Sequence, residues 1–197
     1  MANSVKFGLK NVHYAVMGED PTTHATTYAT PVAIEGAVSL TLDAEGEESN
    51  FFADNRKFFK QFANNGYSGD LEIARIPEGF RKDVLGEIDD HGVLIEKSDA
   101  VIKSFALAFE IDGDVKKERF WFLNCTVSRP STEAGTTEDT IEPKTDKLSL
   151  VVAADKDGKV RTKTGDEVTD AVYNAWFNAV VTQGPTGAAK VTAKKEN

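Results

Sequence analysis

The sequence predicts a mostly β fold of the α+β class in one domain, and three observations carry that prediction. Apolar residues recur at every second position along most of the chain, which is the period of a half-buried strand. Helical spacing is confined to two short segments, 77–88 and 166–181. The 197 residues are 40% hydrophobic and 28% charged, so the chain can bury one substantial core.

Three segments show the alternation most clearly. In PVAIEGAVSLTLDAE, the large apolar residues take even positions, at Ile34, Val38, Leu40 and Leu42, and polar residues take odd ones, at Glu35, Ser39, Thr41 and Asp43. YSGDLEIARI and SFALAFEI alternate in the same way, and the DGD that follows the latter predicts a hairpin turn. The predicted core residues of these strands are Ile34, Val38, Leu40, Leu42, Tyr67, Leu71, Ile73, Phe105, Leu107, Phe109 and Ile111.

The returning strand, KKERFWFLNCTVS, is apolar on both faces between Phe120 and Leu123. It is therefore either central in the sheet or covered by a partner. Strict alternation places Cys125 on one face with Trp121, Leu123 and Val127. As the chain's single cysteine it cannot form an internal disulfide, and we interpret it as a small buried apolar residue.

The last strand pair is predicted in KLSLVVAADKDGKVRT. Leu148, Leu150 and Val152 alternate, Asp157-Gly158 forms a turn, and a short partner strand follows. The ADKDGK motif is similar to part of a calcium loop but lacks the later ligands and the closing Glu. A hairpin turn explains it better.

Two helices are predicted. The first follows Pro77, which suits a first helical turn. The second is an amphipathic helix of about three to four turns, capped near Thr169 and expected to pack against a sheet. Their apolar residues at helical spacing are Phe80, Val84, Leu85, Ile88, Val168, Val172, Trp176, Phe177 and Val180.

The segment from Asp43 to Gly66 is predicted as a long inter-strand loop. It begins with an acidic run, and five of the chain's twelve Phe then follow within residues 51–62. Exposed Phe lower solubility unless they are covered, either by the protein's own sheet or by a neighbouring subunit. The Phe doublets point to both faces of an extended segment, and charged residues lie between them, which favours a subunit interface. The predicted interface residues are Phe51, Phe52, Asp54, Phe58, Phe59 and Phe62.

The predicted domain spans residues 1–184 and contains this loop at about 43–66. The segment SRPSTEAGTTEDTIEPKT has too little apolar content to pack alone and is predicted as a surface loop. Residues 185–197 are polar and are predicted to form a flexible C-terminal tail.

Charge excludes some partners. The net charge is −9; residues 1–100 carry nine Lys or Arg against seventeen Asp or Glu, and the remainder fourteen against fifteen. Such a surface repels phosphate backbones, so specific nucleic-acid binding is not expected. There is no apolar run of membrane-spanning length and no apolar signal segment at the N-terminus, so no membrane partner and assembly in a cytoplasm are expected.

No catalytic or cofactor motif is recognisable. His13, His24 and His91 are scattered without metal-ligand spacing, and the nucleophile-elbow, P-loop and dinucleotide-binding motifs do not occur. The acidic run at Asp43, Glu45, Glu47 and Glu48 could hold a cation, but a run of charges is more often a solvated face. We therefore expect no enzyme activity, no metal and no cofactor.

The chain resembles the phi13-type major tail protein family of long-tailed, non-contractile bacteriophages, from about Val5 to Gln183. The resemblance depends on blocks that occur in the family's order. They are FFADNRKFF, GYSGDLEIARIPEGF, LGEIDDHGVLIE, FALAFEIDGD, RFWFLNCTVSRPSTEAGTTEDTIEPKTDKLSL and AWFNAVV.

The resemblance implies a tail-tube-type β-sandwich of two packed sheets with a flanking helix and a long inter-strand loop that reaches a neighbouring subunit. It implies hexameric rings stacked into a hollow tube in the virion, through which DNA passes without specific binding. Tape-measure, tail-terminator and tail-tip proteins are the implied partners. Two alternatives stay open: a tube subunit of a bacterial secretion or contractile injection apparatus, and a carbohydrate-binding β-sandwich with exposed aromatics.

Overall fold

The computed structural model describes residues 8–53, 56–112, 117–132 and 144–184, with the backbone alone for 49–53 and 56–61. The described residues are mostly strand with two short helices, so the predicted mostly β, α+β class is confirmed. None of the helices described is long and apolar enough to cross a membrane. The predictions that lie outside the described residues concern Asp54, most of the DGD turn, the middle of the 128–145 loop and the 185–197 tail.

The elements are numbered in chain order. The strands are β1 (Leu9–Glu19), β2 (Thr26–Tyr28), β3 (Val32–Ala33), β4 (Ala37–Glu45), β5 (Glu48–Ala53), β6 (Arg56–Phe62), β7 (Gly66–Ile73), β8 (Ile88–Asp90), β9 (Val93–Ile95), β10 (Phe105–Ile111), β11 (Glu118–Val127), β12 (Asp146–Ala153) and β13 (Arg161–Lys163). The helices are α1 (Glu78–Asp83) and α2 (Asp170–Asn174).

Nine strands form one main sheet in the order β2-β1-β10-β11-β12-β7-β4, with β13 added to β11 and β3 to β1. β11 is central, as its apolar sequence predicts. One edge of β11 pairs with β10, while its other edge pairs with β13 over 120–122 and with β12 over 124–127. The sheet folds at this point into two layers, so that β1 and β4 approach each other across the core.

The inner core lies between the two layers. From one layer, Leu107 and Phe109 on β10 are buried, and from the other, Leu71 on β7 and Leu150 on β12 are buried. Ring contacts tie the layers together: Tyr67 of β7 meets Phe122 of β11 edge to face at 5.2 Å between centroids. The predicted alternation of β7, β10 and β12 is therefore confirmed in the packing of the core.

Irregular pairing moves two side chains from their predicted positions. On β11 the partner of Phe105 is Cys125 while the partner of Leu107 is Phe122, so β11 contains one extra residue, a β-bulge. Cys125 consequently lies in the inner core, and the prediction that it shares a face with Trp121 and Leu123 is wrong. A similar shift after Ala37 leaves Val38, predicted as core, 54% exposed.

The outer face of the β1-β10-β11 layer is covered by the C-terminal part of the chain. Ala15, Ala106 and Ala108 are fully buried there, and their small side chains allow Trp176 to approach the sheet closely. The indole nitrogen of Trp121 donates to the Trp176 carbonyl oxygen at 3.0 Å. Both faces of β11 are thus covered by its own chain, so its apolar sequence gives no reason to require a partner.

A buried ion pair fastens this cover to the sheet. Glu110 on β10 is 1% exposed, and its carboxylate accepts from Arg119 Nε at 2.7 Å and from Lys117 Nζ at 3.2 Å. The Arg119 guanidinium lies 3.8 Å from the centroid of the Tyr173 ring and donates to the Tyr173 carbonyl oxygen. Because Arg119 and Lys117 both compensate the negative charge of Glu110, the cost of burying this carboxylate is offset.

The helices are shorter than predicted. Thr169 is the residue before α2, as predicted, but α2 has five residues and ends in turns rather than in further helix. α1 buries Phe80 and ends at Asp83, well before Ile88, which belongs to β8. Gly86, with a φ of +76°, separates the two elements. The short strand β13 also differs from prediction, because it pairs with β11 and not with β12.

Replacing Trp176 with Ala tests the C-terminal cover. The side chain is 3% exposed against three alanines, so its removal should lower the free energy of unfolding by about 3–5 kcal/mol in a urea titration. The control is Val151→Ala, at a side chain that is 57% exposed, which should change stability by less than about 0.5 kcal/mol. Equal stability of the two variants would show that the cover does not stabilise the sheet.

Candidate functional site

The Phe-rich segment is a β-hairpin, so the prediction of a loop over 43–66 is wrong. β4 continues to Glu45, and β5 and β6 then form a two-stranded sheet of their own. Their pairing runs from Glu48 opposite Phe62 to Ala53 opposite Arg56. A register shift between Phe51 and Phe52 interrupts the period of two, and this bulge is why alternation does not reveal the strands. We call residues 48–62 the arm.

The arm continues the pairing of β4 and β7 beyond the main sheet. The last pair of that ladder is Glu45 with Gly66, and the amides of Asn65 and Ala63 then donate to the carbonyl oxygens of Glu45 and Glu47, each at 2.9 Å. Six further residues pair along β5, and a strand rises about 3.3 Å per residue. The arm itself is therefore roughly 20 Å long.

Two glycines let the backbones approach closely at the base of the arm. A Cβ atom at Gly46 would overlap the Ala63 carbonyl oxygen, and one at Gly66 would overlap the Val152 carbonyl oxygen. Gly66 also has a φ of +101°, which residues with a side chain rarely adopt. The main chain itself thus sets the direction in which the arm leaves the sheet.

The structure brings the predicted interface residues together on this arm. Phe51 and Phe52 lie on β5, Phe58, Phe59 and Phe62 lie on β6, and Phe51 is directly opposite Phe59. Asp54 lies outside the described residues. Of these six residues, Phe62 is the one whose side chain the structure describes, and that side chain is 66% exposed. The arm is thus an aromatic-rich extension with at least one of its rings open to solvent.

A second hairpin with exposed apolar side chains was missed from the sequence. β8 and β9 pair as a separate two-stranded sheet, and Ile88, Val93, Ile95 and the nearby Val101 are 43%, 61%, 38% and 77% exposed. The signal was the turn His91-Gly92, whose φ values of 54° and 87° suit a two-residue hairpin. Assigning Ile88 to the preceding helix hid it.

The outer face of the β4-β7-β12 layer is acidic and is built from short polar side chains. Cross-strand partners define its rows: Ser39, Glu72 and Lys147; Thr41, Asp70 and Ser149; Asp43, Ser68 and Val151. Glu45 adjoins these rows, because its carboxylate accepts a hydrogen bond from the Ser68 hydroxyl. We call this surface the acidic face. It carries four carboxylates and one lysine.

Hydrogen bonds hold two carboxylates of the acidic face in their ionised form. Lys147 and Ser149 donate to Asp70 at 2.9 and 2.8 Å and lower its pKa, with Lys147 as the larger cause. Donation from Thr145, and then from Ser39 at 2.9 Å, lowers the pKa of Glu72. These groups stay negative at neutral pH and below it.

The described residues offer little for catalysis. A cleft of about 470 Å³ at the open end of the inner core is lined mainly by apolar side chains, among them Tyr67 and Phe109, with Arg161 and Lys163 beside them. The described residues contain no group of three His, Cys, Asp or Glu placed to hold a metal ion. Cys125 is fully buried, and burial raises the pKa of its thiol to about 12, which suppresses the nucleophilic thiolate.

The three histidines have separate local roles. His13 stacks on Phe177 at 4.9 Å, His24 contacts Glu19 at 2.6 Å and His91 contacts Asp90 at 2.7 Å. Each thus has its own neighbour in a turn or at the sheet surface.

No protein-family model matches the chain, and a search of curated proteins finds no match.

Replacing Gly46 with Ala tests the base of the arm. The new methyl group would displace the Ala63 carbonyl, at a cost of about 1–3 kcal/mol for an overpacked contact. Amide exchange at Ala63 and Asn65 should then accelerate about tenfold or more, while the melting temperature stays close to wild type. Gly165→Ala is the control, because a Cβ atom there meets nothing within 4 Å. Unchanged exchange in the Gly46 variant would contradict the close contact.

Proposed function

We propose that this protein is the structural subunit of a bacteriophage tail tube. In this proposal it forms hexameric rings that stack into a tube, and the lumen conducts DNA during ejection. Its partners are further copies of itself and the tape-measure, tail-terminator and tail-tip proteins. It is made and assembled in the host cytoplasm, belongs to the virion tail, and has no enzymatic role or cofactor.

The observation that carries the proposal is the arm. A two-stranded hairpin is at best marginally stable in water unless something covers it. This one is about 20 Å long and carries five Phe, of which Phe62 is 66% exposed. Burial of one Phe contributes about 1.5–3 kcal/mol, so a neighbouring subunit that covered the arm would gain enough from the set to hold a ring or a stack together.

The acidic face supplies the second support. A channel that conducts DNA has to repel phosphates, and a wall of fixed carboxylates does so. Asp43, Glu45, Asp70 and Glu72 lie there among Ser and Thr, and Lys147 is the one cation in the rows. The opposite layer is covered by the C-terminal segment instead. We therefore assign the acidic face to the lumen in this proposal.

The alternatives differ in what they require. A secretion or contractile injection tube would use the same arm, and the ordered sequence blocks favour the phage tail. A carbohydrate-binding sandwich would need exposed aromatic platforms. Trp121 and Trp176 are 0% and 3% exposed, so neither can form one.

A double Phe51→Ser/Phe52→Ser substitution separates folding from assembly. If these rings are buried between subunits, the variant should melt near the wild-type temperature but form no tubes under conditions where wild type does. Negative-stain microscopy and thermal unfolding measure the two properties on one sample. Wild type should be tested both alone and with its tail-initiation partners, because nucleation can limit tube growth.

The control is Val151→Ser, another exposed apolar residue, placed on the acidic face instead of the arm. It should fold and assemble. If the rings belong to the protein's own core instead, each Phe→Ala change should lower stability by about 3–5 kcal/mol. A double variant that melts normally and still builds tubes would exclude the arm from the interface. Wild-type protein that remains monomeric beside its partners would refute the tube.

A further inference from the structure

The inner core is open at one end, where a cleft of about 470 Å³ lies between the two layers. One wall is aromatic, because Phe109 on β10 stacks on both Phe120 and Phe122 of β11, at 5.1 and 5.8 Å between ring centroids. Small-molecule pockets in proteins have volumes of about 300–1,000 Å³, so the cleft is large enough for such a ligand. Aliphatic side chains complete the apolar lining: Leu9, Leu40, Leu42 and Ile111.

The apolar lining of the cleft keeps part of its surface in water. Leu40, Leu42 and Tyr67 pack against the buried core but are themselves only partly buried, and so are Leu9 and Ile111. Removing such apolar surface from water is favourable. The lining therefore favours an occupant that is apolar over most of its length.

Two cations stand beside the aromatic wall. Arg161 and Lys163 on β13 are the cross-strand partners of Phe122 and Phe120, so these four side chains share one face of the sheet. Thr162 lies between the two cations and points to the other face, where its hydroxyl donates to the Val181 carbonyl oxygen at 2.6 Å. This hydrogen bond fixes the face that β13 presents to the cleft.

The two cations differ in what they contact. The Lys163 ammonium lies 3.3 Å from a carboxylate oxygen of Glu118, whereas the Arg161 guanidinium lies over the ring of Tyr67, 5.5 Å from its centroid. Within the part of the chain that the structure describes, no Asp or Glu lines the cleft. The cleft is thus a local site of positive charge in a protein of net charge −9.

We propose that this cleft binds a single-chain anionic amphiphile of the fatty-acid class, with the alkyl chain along the aromatic wall and the carboxylate on Arg161 and Lys163. Charge complementarity selects this occupant, because a cationic amphiphile would be repelled and a neutral one would gain nothing from the guanidinium. Arginine holds a carboxylate through two parallel hydrogen bonds. Lysine has three donors, so Lys163 can contact both Glu118 and the ligand.

Three ligands of equal chain length isolate the contribution of charge. Isothermal titration calorimetry of the free subunit should show saturable binding of decanoate below its micelle concentration. Decanol and decyltrimethylammonium should each bind at least about tenfold more weakly, because neither makes the charge-assisted hydrogen bonds. Binding of the cationic amphiphile as tight as that of decanoate would overturn the proposal.

Two kinds of variant test the two parts of the cleft. Arg161→Gln/Lys163→Gln should weaken decanoate binding about tenfold or more and change decanol binding by less than about twofold. The matched control is Lys147→Gln on the acidic face, at a side chain that is 61% exposed, which should leave both affinities unchanged. Leu42→Trp should fill the cleft and abolish binding of both ligands, and the smaller Leu40→Phe should weaken both. Thermal unfolding shows whether each variant folds.

Photocrosslinking locates the bound chain on the unmodified protein. A decanoate analogue with a diazirine at the end of its chain should label the cleft, at residues such as Leu40, Tyr67 and Phe122. The β8-β9 hairpin is the internal control, since Ile88 and Val93 are exposed apolar side chains without the two cations. Labelling confined to that hairpin would mean adsorption to exposed apolar surface and would overturn the site.

The outcomes are independent of the proposed tail tube, because binding is measured on the free subunit. Decanoate that does not bind saturably, or that binds the Arg161/Lys163 variant as tightly as wild type, overturns the ligand site and leaves the tube standing. Binding to the free subunit that is lost in assembled tubes assigns the cleft to a neighbouring copy and also overturns the ligand. Wild-type protein that never assembles refutes the tube and leaves this site standing.

Discussion

The structure depends on the pairing of β11 with three other strands. Its main chain bonds to β10 along one edge and to β13 and β12 along the other, and this shared edge folds the sheet into two layers. Its side chains fill both the inner core and the space under the C-terminal cover, through Phe122 on one side and Trp121 on the other. Both faces of β11 are therefore covered by its own chain, and the apolar side chains around it are buried in the two core clusters.

The two small hairpins instead carry large apolar side chains that are exposed to solvent. The arm leaves the sheet where Gly46 and Gly66 allow the backbones to come together, and the β8-β9 hairpin leaves it after α1. Each is a two-stranded sheet with exposed apolar residues, and neither needs to be covered for the core to form. In the proposed tube, these hairpins would be the surface available for association once the subunit has folded.

Much of this fold could be predicted from the period of two, and the errors have identifiable physical causes. Leu148, Leu150 and Val152 alternate into the core because β12 is regular. Cys125 and Val38 were misplaced because a bulge shifts every later side chain to the other face, and a sequence pattern does not mark the extra residue. The prediction of a loop over 43–66 is wrong for the same reason, because the bulge between Phe51 and Phe52 interrupts the alternation of this hairpin. The residues proposed for its interface could nevertheless be singled out from the sequence, because five Phe interleaved with cations are unusual outside a core.

The central claim is that the arm is uncovered in the free subunit and buried on assembly. Amide hydrogen exchange of the free subunit and of assembled tubes, followed by mass spectrometry, measures this directly. We expect peptides from β5 and β6 to exchange rapidly in the subunit and slowly in the tube, while β10 and β11 are protected in both. Arm peptides already as protected as β11 in the free subunit, or still unprotected in the tube, would contradict the account.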